Sequence, residues 1–492
     1  AIEMKRLFIL LSFLLVLASC SKENVILPEP ESSIVLSDGT APSGDLTLSL
    51  GETVTLSALC TNVEAARYEW RLNTVLKSVE QHYTFTADAA GTYTVTLLVR
   101  NADGVAGKAS ELTIVVNGPY KEGTYFLLEG NMSNDNGNIC FVDANGTFYA
   151  NPYGEANQKD GKPTSPGNVL QDMFIYKDNA YFITQNGAAN GQGARLVIAV
   201  AQTLKAKSLV TGSIDDASVW PQHIVVIDEN KAYIRYSTSD YESRSGIRVM
   251  NLSTGVWNEQ DIEGTAGAFT VSGSTKARML LLGDKVYAPC GQYLQVIDTK
   301  TDKVVKTLDF GATRQTKDIA RGLDGKVYLL VSGTFTGNFY SPVYTSSATV
   351  VCVDPSNYGY TETELPDEFQ MPVATWSPNV GMCASFTEHA LFFRMGSGFS
   401  TTQVARYDYK SATATKLLDI AGESGLGMYV YGYLGVDQNN VLYVGTTDYT
   451  RSMIATYDAK TGARRENTYT ISSGSPAGID FTYRFSDSWT QR

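Results

Sequence analysis

The chain has 492 residues, which is enough for two or more domains, and a formal net charge of −12. This acidity argues against nucleic-acid binding, which needs a basic face, and against electrostatic attachment to anionic lipid. Only 18% of the residues are charged, whereas glycine (43 residues) and tyrosine (29 residues) are abundant. Because Tyr, Thr and Val favour strands and Gly, Asn and Asp favour turns, the composition predicts an all-β protein.

The first twenty residues have the pattern of an export signal. A basic pair, Lys5-Arg6, precedes the apolar run 7–17, which is too short to cross a bilayer as a helix. The run ends in Leu-Ala-Ser-Cys20, which resembles the lipobox of bacterial lipoproteins. The resemblance implies a signal peptide over residues 1–20, lipidation of Cys20 and an exported ectodomain; an ordinary signal peptide with a chance cysteine is the alternative. Residues 21–33 are expected to form a tether.

Five cysteines follow the lipobox, an odd number without regular spacing, and this does not indicate a disulfide framework. Four of them lie in apolar, strand-like runs, so we expect buried free thiols. The five are Cys60, Cys140, Cys290, Cys352 and Cys383.

Residues 34–118 contain short alternating strands separated by turns, a pattern typical of an immunoglobulin-like sandwich. A tryptophan, Trp70, follows one strand-and-turn pattern, and the segment Gly91–Arg100 precedes the last strand. These features resemble the PKD-like modules of bacterial surface proteins, although the Gly-Asp-Gly turn usual after the tryptophan is absent. Trp70 and Tyr93 are predicted to be core residues rather than ligand contacts.

Residues 119–492 repeat a strand with a central aromatic residue about every fifty positions. The aligned aromatic residues are Tyr125, Tyr181, Tyr233, Tyr287, Tyr328, Phe392 and Tyr443. In most units a second strand ends in Asp or Asn, whose side chain suits the turn that follows. Seven such units predict a seven-bladed β-propeller, and the pattern resembles the YncE-like propellers of bacterial surfaces. The segment 477–483 is expected to pair with the first blade and close the ring.

Signatures of catalysis and of metal binding are scarce in the sequence. The chain has three histidines and no His-Glu-x-x-His, Gly-x-Ser-x-Gly or phosphate-binding loop pattern. The aspartates that end the second strands are spread one per blade, which makes an acid/base pair difficult to assemble, so they are interpreted as structural. We therefore predict no catalytic residue, no metal site and no cofactor.

The links that lead into the innermost strand of each blade occupy one position in the repeat, so we expect them to surround one mouth of the central channel. Their side chains combine aromatic, cationic and amide groups, which suits a sugar, a cofactor-like ligand or a peptide. The predicted ligand-binding residues are Trp220, His223, Lys276, Arg278, Lys317, Arg321, Trp376, Asn379, Tyr429 and Tyr431. The alternative for each is that it plugs the channel or packs between blades.

The lipobox, the PKD-like module and the Tyr-rich propeller together resemble surface lipoproteins of Bacteroidota-type bacteria. Some propellers of that group sit over TonB-dependent transporters, and the best-known subset captures cobalamin. The resemblance implies a lipid-anchored, surface-exposed protein of the outer membrane that binds a small-molecule (cobalamin-like), glycan or peptide ligand for a TonB-dependent transporter. A polysaccharide hydrolase or lyase, with Asp318, Asp172 or Glu423 as candidate carboxylates, is one alternative. A structural or adhesion protein that binds another surface protein is the other.

Overall fold

The computed structural model describes residues 25–132, 135–240, 244–267, 277–338, 341–373, 379–398, 400–471 and 474–485. The chain divides after Gly118 into two compact units. Cys20, Lys276 and Trp376 lie outside the described residues, so the predictions made for them stay predictions. Within the residue ranges just given, no helix is long and apolar enough to cross a membrane.

The first unit is a β-sandwich of two sheets, with strand orders β1-β3-β6 and β2-β8-β7-β4-β5. Its strands are β1 (Ser32–Leu36), β2 (Leu46–Ser49), β3 (Thr53–Cys60), β4 (Arg67–Leu72), β5 (Val75–Ser78), β6 (His82–Thr86), β7 (Gly91–Arg100) and β8 (Ser110–Asn117). Alternating residues of β7 and β8 are buried, as the period of two in a strand requires. Trp70 is fully buried and its indole N–H donates to the carbonyl of Glu80 at 2.9 Å, whereas Tyr93 is half-buried. The predicted immunoglobulin-like sandwich is confirmed.

The sandwich begins earlier than the predicted boundary at residue 34. Ser32 pairs with Cys60 in the ladder between β1 and β3. Before it, the side-chain amide of Asn101 donates to the carbonyl of Pro28 at 2.9 Å, and the backbone N–H of Glu31 donates to Asn62 Oδ1 at 2.8 Å. The end of the predicted tether is therefore attached to the sandwich, because asparagine side chains bond its backbone groups.

In the described residues of the second unit, seven antiparallel sheets of four strand positions each form the blades. The first three blades contain β9 (Gly123–Leu128), β10 (Asn138–Asp143), β11 (Phe148–Tyr149), β12 (Asn168–Tyr176), β13 (Asn179–Gly187), β14 (Leu196–Val200), β15 (Ala206–Val210), β16 (Val219–Val226), β17 (Lys231–Thr238), β18 (Ser245–Asn251) and β19 (Val256–Trp257). A short helix, α1 (Pro152–Ala156), follows β11 and is capped by the side chain of Asn151.

The remaining blades are built in the same way. Their strands are β20 (Leu280–Leu282), β21 (Lys285–Cys290), β22 (Tyr293–Asp298), β23 (Lys303–Asp309), β24 (Thr316–Arg321), β25 (Val327–Val331), β26 (Phe335–Thr336), β27 (Val343–Tyr344), β28 (Thr349–Val353), β29 (Tyr360–Glu364), β30 (Cys383–Ala384), β31 (Ala390–Arg394), β32 (Gln403–Asp408), β33 (Thr413–Asp419), β34 (Tyr429–Val430), β35 (Gly435–Val436), β36 (Val441–Thr447), β37 (Ser452–Asp458), β38 (Arg464–Ile471) and β39 (Pro476–Phe481). Strands β26 and β27 form a hairpin inserted in the fifth blade, and two 3₁₀ turns span Asp367–Phe369 and Thr482–Phe485.

The last strand closes the ring. Strand β39 pairs with β9 and so becomes the innermost strand of the first blade, in the order β11-β10-β9-β39. Ile479 lies opposite Phe126 and Asp480 lies opposite Tyr125 in this ladder. The predicted closure and the predicted seven-bladed propeller are confirmed.

The aligned aromatic residues lie in the second strand from the channel in each blade, and all seven are buried. The aspartates that end the strand after the aromatic one, which is the third strand from the channel, accept backbone N–H groups of the following turn. Asp298 accepts from Lys300 and Thr301, and Asp458 does the same from Lys460 and Thr461. These side-chain-to-backbone bonds explain why the sequence repeats Asp at the position.

The five described cysteines are free thiols. Cys140 and Cys383 are buried, whereas Cys60, Cys290 and Cys352 are half-buried. Burial raises the pKa of Cys140 and of Cys383 to about 12. Both are therefore protonated, unreactive core residues at neutral pH.

Candidate functional site

One position of the repeat lines the middle of the central channel. In each blade, one residue of the innermost strand pairs with the aligned aromatic residue, and the position that lines the channel lies two residues before it. We call the seven residues at this position the central layer. Its members, in blade order from the second blade to the first, are Asp172, His223, Arg278, Asp318, Gly381, Tyr433 and Gly478. Five of the seven carry polar side chains, and these five are almost completely buried.

A break in strand register precedes the central layer in four blades. The shifts fall between Leu170 and Asp172, Pro221 and His223, Thr316 and Asp318, and Pro476 and Gly478. An irregularity of this kind bends a strand and re-aims the side chain that follows. It explains how polar residues point into the channel from strands whose other residues form the apolar core between blades.

Tyr433 closes the channel at this level. It belongs to the seventh blade, yet its hydroxyl donates to Oδ1 of Asp318 in the fifth blade at 2.6 Å. The same hydroxyl accepts the backbone N–H of Arg278, in the fourth blade, at 2.9 Å. The Arg278 guanidinium lies 3.9 Å from the centre of the Tyr433 ring, a cation–π contact, and His223 meets the ring edge-on. Tyr433 and Arg278 therefore fill the channel from opposite sides, and we call this pair of side chains the plug.

Buried charges connect the blades around this plug. Arg278 Nη2 lies 2.9 Å from Oδ2 of Asp480 and 3.5 Å from Oδ1 of Asp172. The second oxygen of Asp480 lies 3.2 Å from Nη1 of Arg484. Oδ2 of Asp172 lies 3.2 Å from His223 Nδ1 and accepts the backbone N–H of Ile224 at 3.0 Å. The network joins the closing strand β39 to the second, third and fourth blades.

Burial perturbs the ionisation of the central residues. It raises the pKa of Asp318 to about 6 and raises the pKa of Tyr433 well above its usual range. For Arg278, burial alone lowers the pKa, but the carboxylates of Asp480 and Asp172 outweigh it, so the pKa is raised. Arg278 is consequently a permanent cation that three buried aspartates surround.

The two glycines of the central layer leave little space for a side chain. A Cβ atom on Gly478 would lie 3.2 Å from Nη2 of Arg278, and one on Gly381 would lie 2.3 Å from the carbonyl oxygen of Gly432 and 3.3 Å from Nε of Arg394. Gly381 also has a φ of +66°, which favours glycine. Arg394 comes from β31, and its Nη1 donates to the carbonyl of Val430 at 3.4 Å.

The described members of the predicted ligand-binding set lie at three levels of the channel: near the central layer, at the mouth, and, for Arg321 alone among them, towards the other face. His223 and Arg278 belong to the central layer, and Lys317 is buried directly before Asp318. Trp220, Asn379, Tyr429 and Tyr431 are half-buried and precede the central layer in their blades, at the mouth.

Arg321 corrects the prediction of a single mouth. It ends strand β24, beyond Asp318, and lines a small cavity with Phe386 and Arg484 towards the other face of the propeller. Arg321 lies on the far side of the central layer from the mouth, because strand β24 passes Asp318 before it ends at Arg321.

The mouth contains residues that the sequence analysis did not select. Tyr431 donates from its hydroxyl to Oε2 of Glu129 at 3.2 Å, and Gln171 donates to Oε1 of Glu129 at 2.9 Å. These three residues come from the seventh, first and second blades, so they form a polar cluster across blade boundaries. Tyr429 packs near Tyr449, with ring centres 5.8 Å apart. We call the half-buried residues Trp220, Asn379, Tyr429, Tyr431, Glu129 and Gln171 the mouth residues.

Alignment of the innermost strands, rather than of the links, would have found the missed channel residues. Tyr433 occupies the same repeat position as Asp318, and Asp480 lies in the strand that was expected to close the ring. Within the described residues, no group of three or more His, Cys, Asp or Glu side chains could hold a metal ion.

The comparison with protein-family models assigns the propeller to a family. A family model described as a domain of unknown function (DUF5074) matches residues 122–474. The chain belongs to the DUF5074 family. A PKD domain model matches residues 40–115, within the sandwich that precedes the DUF5074 propeller. No curated protein matches the chain.

Solved structures similar to this DUF5074 protein include bacterial propellers. A quinoprotein alcohol dehydrogenase-like protein from Bacteroides thetaiotaomicron is 18% identical, with a TM-score of 0.51 over 93% of this chain and 100% of that one. A periplasmic gluconolactonase from Pseudomonas aeruginosa is 12% identical, with a TM-score of 0.46 over 73% and 99%. A 6-phosphogluconolactonase-like protein from Bacteroides fragilis is 13% identical, with a TM-score of 0.47 over 73% and 98%. The first of these likenesses supports the fold alone.

Proposed function

We propose that this protein is a lipoprotein of the outer membrane, exposed at the cell surface, that binds a ligand at the propeller mouth as an accessory to a TonB-dependent transporter. The observation that carries the proposal is the arrangement above the plug. Tyr433 and Arg278 close the channel, and the half-buried mouth residues above them come from several blades and combine aromatic, amide and charged groups. Such a preformed surface suits binding without rearrangement of the scaffold.

The ligand classes that fit this mouth are cobalamin-like molecules, glycans and peptides. Trp220 and Tyr431 offer aromatic surface, and Gln171 and Glu129 offer hydrogen-bonding groups beside it. Lipidation of Cys20 would hold the protein at the membrane, and the residues after it would keep the mouth close to a transporter. Tethering of this kind raises the local concentration of captured ligand without any new contact.

Binding is favoured over catalysis by the state of the channel carboxylates. Asp172, Asp318 and Asp480 are completely buried, and each already contacts a hydrogen-bond donor or a cation. A general acid or base must instead reach a substrate proton. Glu423, the third carboxylate considered, accepts hydrogen bonds from Tyr457 and Arg464.

The first experiment is affinity purification of the tagged full-length protein from its native outer membrane, followed by mass spectrometry. We expect a TonB-dependent transporter in stoichiometric amount, and we expect Cys20→Ala to remove both the membrane attachment and the transporter. Recovery of the protein alone overturns the accessory role. A stable complex with a different surface protein, without a small ligand, supports adhesion instead.

The second experiment tests the mouth directly by calorimetry with cyanocobalamin, neutral and acidic oligosaccharides, and mixed peptides. Trp220→Ala and Tyr431→Ala should each weaken binding by about tenfold or more, equivalent to about 1.4 kcal/mol. Tyr360→Ala, an exposed tyrosine on an outer strand, is the matched control and should change nothing. Turnover of an oligosaccharide that disappears in Asp318→Asn would instead establish the enzyme alternative.

A further inference from the structure

A second cavity lies where the first and last blades meet, away from the mouth. We call it the closure groove. It has a volume of about 320 Å³ and is bordered by the turns after β10 and β35, the start of β9 and the middle of β38. Strand β36 shows where the groove lies. Its last residue, Thr447, accepts the backbone N–H of Met428, which directly precedes the mouth residue Tyr429, whereas its first residue, Val441, bonds Asp437 in the turn that borders the groove. The groove therefore opens at the opposite end of the blade.

Aromatic side chains form one wall of the closure groove. Tyr443, Tyr469 and Tyr483 line it, and Phe148 lies beside Tyr469 with ring centres 5.4 Å apart. Phe148 is 37% exposed although it is a large apolar residue. An aromatic surface left open beside a cavity offers the flat, weakly polar face on which the C–H groups of a sugar ring can pack.

Polar groups converge on the same space. Asp437 is held by the backbone N–H groups of Asn439 and Val441, and Asp143 by those of Asn145 and Thr147. Both carboxylates are thus fixed in position while retaining lone pairs that can accept further hydrogen bonds.

Donors complete the groove beside these acceptors. The hydroxyl of Tyr483 accepts the backbone N–H of Gln438 at 2.8 Å, which leaves its own proton to donate. The exposed side chain of Asn467 adds an amide.

The charge of the groove selects against anions. Glu122, Asp143 and Asp437 line it, and its described lining includes no Lys or Arg. The charged groups that line the groove are all carboxylates, and they would repel a phosphate, a sulfate or a uronic acid, since like charges at short range repel. A polyhydroxy ligand, in contrast, can donate its hydroxyl protons to fixed carboxylates and accept from Tyr and amide groups.

We propose that the closure groove binds a neutral sugar residue, stacked on Tyr469 and held by hydrogen bonds to Asp437, Asn467 and Tyr483. Its volume lies at the lower end of the range of about 300–1,000 Å³ that is usual for small-molecule sites, which suits one or two sugar rings. The site is independent of the mouth, and sugar binding here requires neither a transporter nor a ligand at the mouth.

The test is saturation-transfer NMR and titration of the full chain with glucose, galactose, mannose, N-acetylglucosamine and cellobiose. We expect millimolar binding of at least one of them and at least about tenfold weaker binding of glucuronate. Asn467→Ala, at an exposed position that does not support the core, and Tyr469→Ala should each weaken it by about tenfold. The matched control Tyr360→Ala, at an exposed tyrosine on an outer strand, should leave it unchanged.

Three results would overturn the proposal. The first is failure of every neutral sugar to bind, and the second is binding that Asn467→Ala leaves intact or that Tyr360→Ala abolishes, since the sugar would then lie elsewhere. The third is tighter binding of glucosamine than of glucose, which would assign the acidic groove to amines.

Discussion

Replacement of Asp480 by Asn tests whether buried charge holds the ring closed. Asp480 is completely buried on the closing strand and contacts two guanidinium groups, Arg278 at 2.9 Å and Arg484 at 3.2 Å. Asparagine keeps the shape but removes the negative charge, and its NH₂ group would face one of the two cations. Removal of one partner from a buried ion pair costs about 3–5 kcal/mol, because the remaining charge cannot be solvated.

The expected effect is large enough to measure. At roughly 0.8 kcal/mol of unfolding entropy per kelvin for a unit of this size, a loss of about 4 kcal/mol lowers the propeller Tm by about 5 °C. Differential scanning calorimetry of the full chain, with urea unfolding as a second measure, gives the value.

Asp284→Asn is the matched control for this experiment. Asp284 also contacts two cations, Lys285 at 2.8 Å and Lys300 at 3.2 Å, but it is half-exposed. Exposed pairs contribute about 0–1 kcal/mol, so this variant should be nearly neutral. Equal shifts for the two variants would refute the reasoning, because the network at the channel would then contribute no more than surface charge.

The other predictions concern single buried groups. Because burial raises the pKa of Asp318 to about 6, the folded state keeps a proton that the unfolded chain releases near pH 3.8. That contribution to stability, about 3 kcal/mol, is present below pH 4 and is lost as the pH rises to about 6. Asp318→Asn should remove it, and parallel unfolding free energies of variant and wild type from pH 4 to pH 7 would contradict this. Tyr433→Phe leaves a buried carboxylate oxygen and a buried N–H without their partner, so urea unfolding should show a loss of about 1–3 kcal/mol; an unchanged midpoint would mean that the plug adds no stability. Trp70→Ala should destabilise the sandwich by about 3–5 kcal/mol, seen by calorimetry in the sandwich transition. Cys140 and Cys383 should resist a thiol reagent at pH 8 until the protein is unfolded in guanidinium, and rapid native labelling of either would show that its strand opens.

The mouth and the closure groove lie at opposite ends of strand β36. A ligand at the mouth and one at the closure groove would therefore occupy separate sites. The two proposals can therefore fail independently. Variants at Tyr431 and at Asn467 distinguish them in the same preparation of protein.

Much of the architecture could be predicted from the sequence, because propeller blades are local structures. Each blade consists of consecutive strands joined by short turns, so the buried aromatic and the turn aspartate recur at one position in the repeat. Tyr233 and Asp298 are examples, the first buried in a second strand and the second bonded to its own turn. The predicted boundary of the sandwich at residue 34 was less accurate. Asn62 and Asn101 attach the preceding segment to the sandwich through hydrogen bonds between residues that are distant in sequence.

The candidate site was predicted only in part. The links that enter the innermost strands do place Trp220, Tyr429 and Tyr431 at one mouth. Arg321, however, lies at the end of strand β24, towards the other face of the propeller. Glu129 was missed because its partners come from two other blades, and no pattern within one repeat shows that they meet it.

The sequence by itself determined the class of fold, the number of blades and the closing strand, since these depend on the period of strands and turns along the chain. Only the tertiary structure decided which side chains meet in the channel. Arg278 and Asp480 are far apart in sequence and come from opposite sides of the ring, yet they form one of its shortest buried ion contacts. The physical reason is that register shifts redirect single side chains and that Gly478 leaves space for Arg278, so the network depends on how the seven blades converge rather than on any one of them.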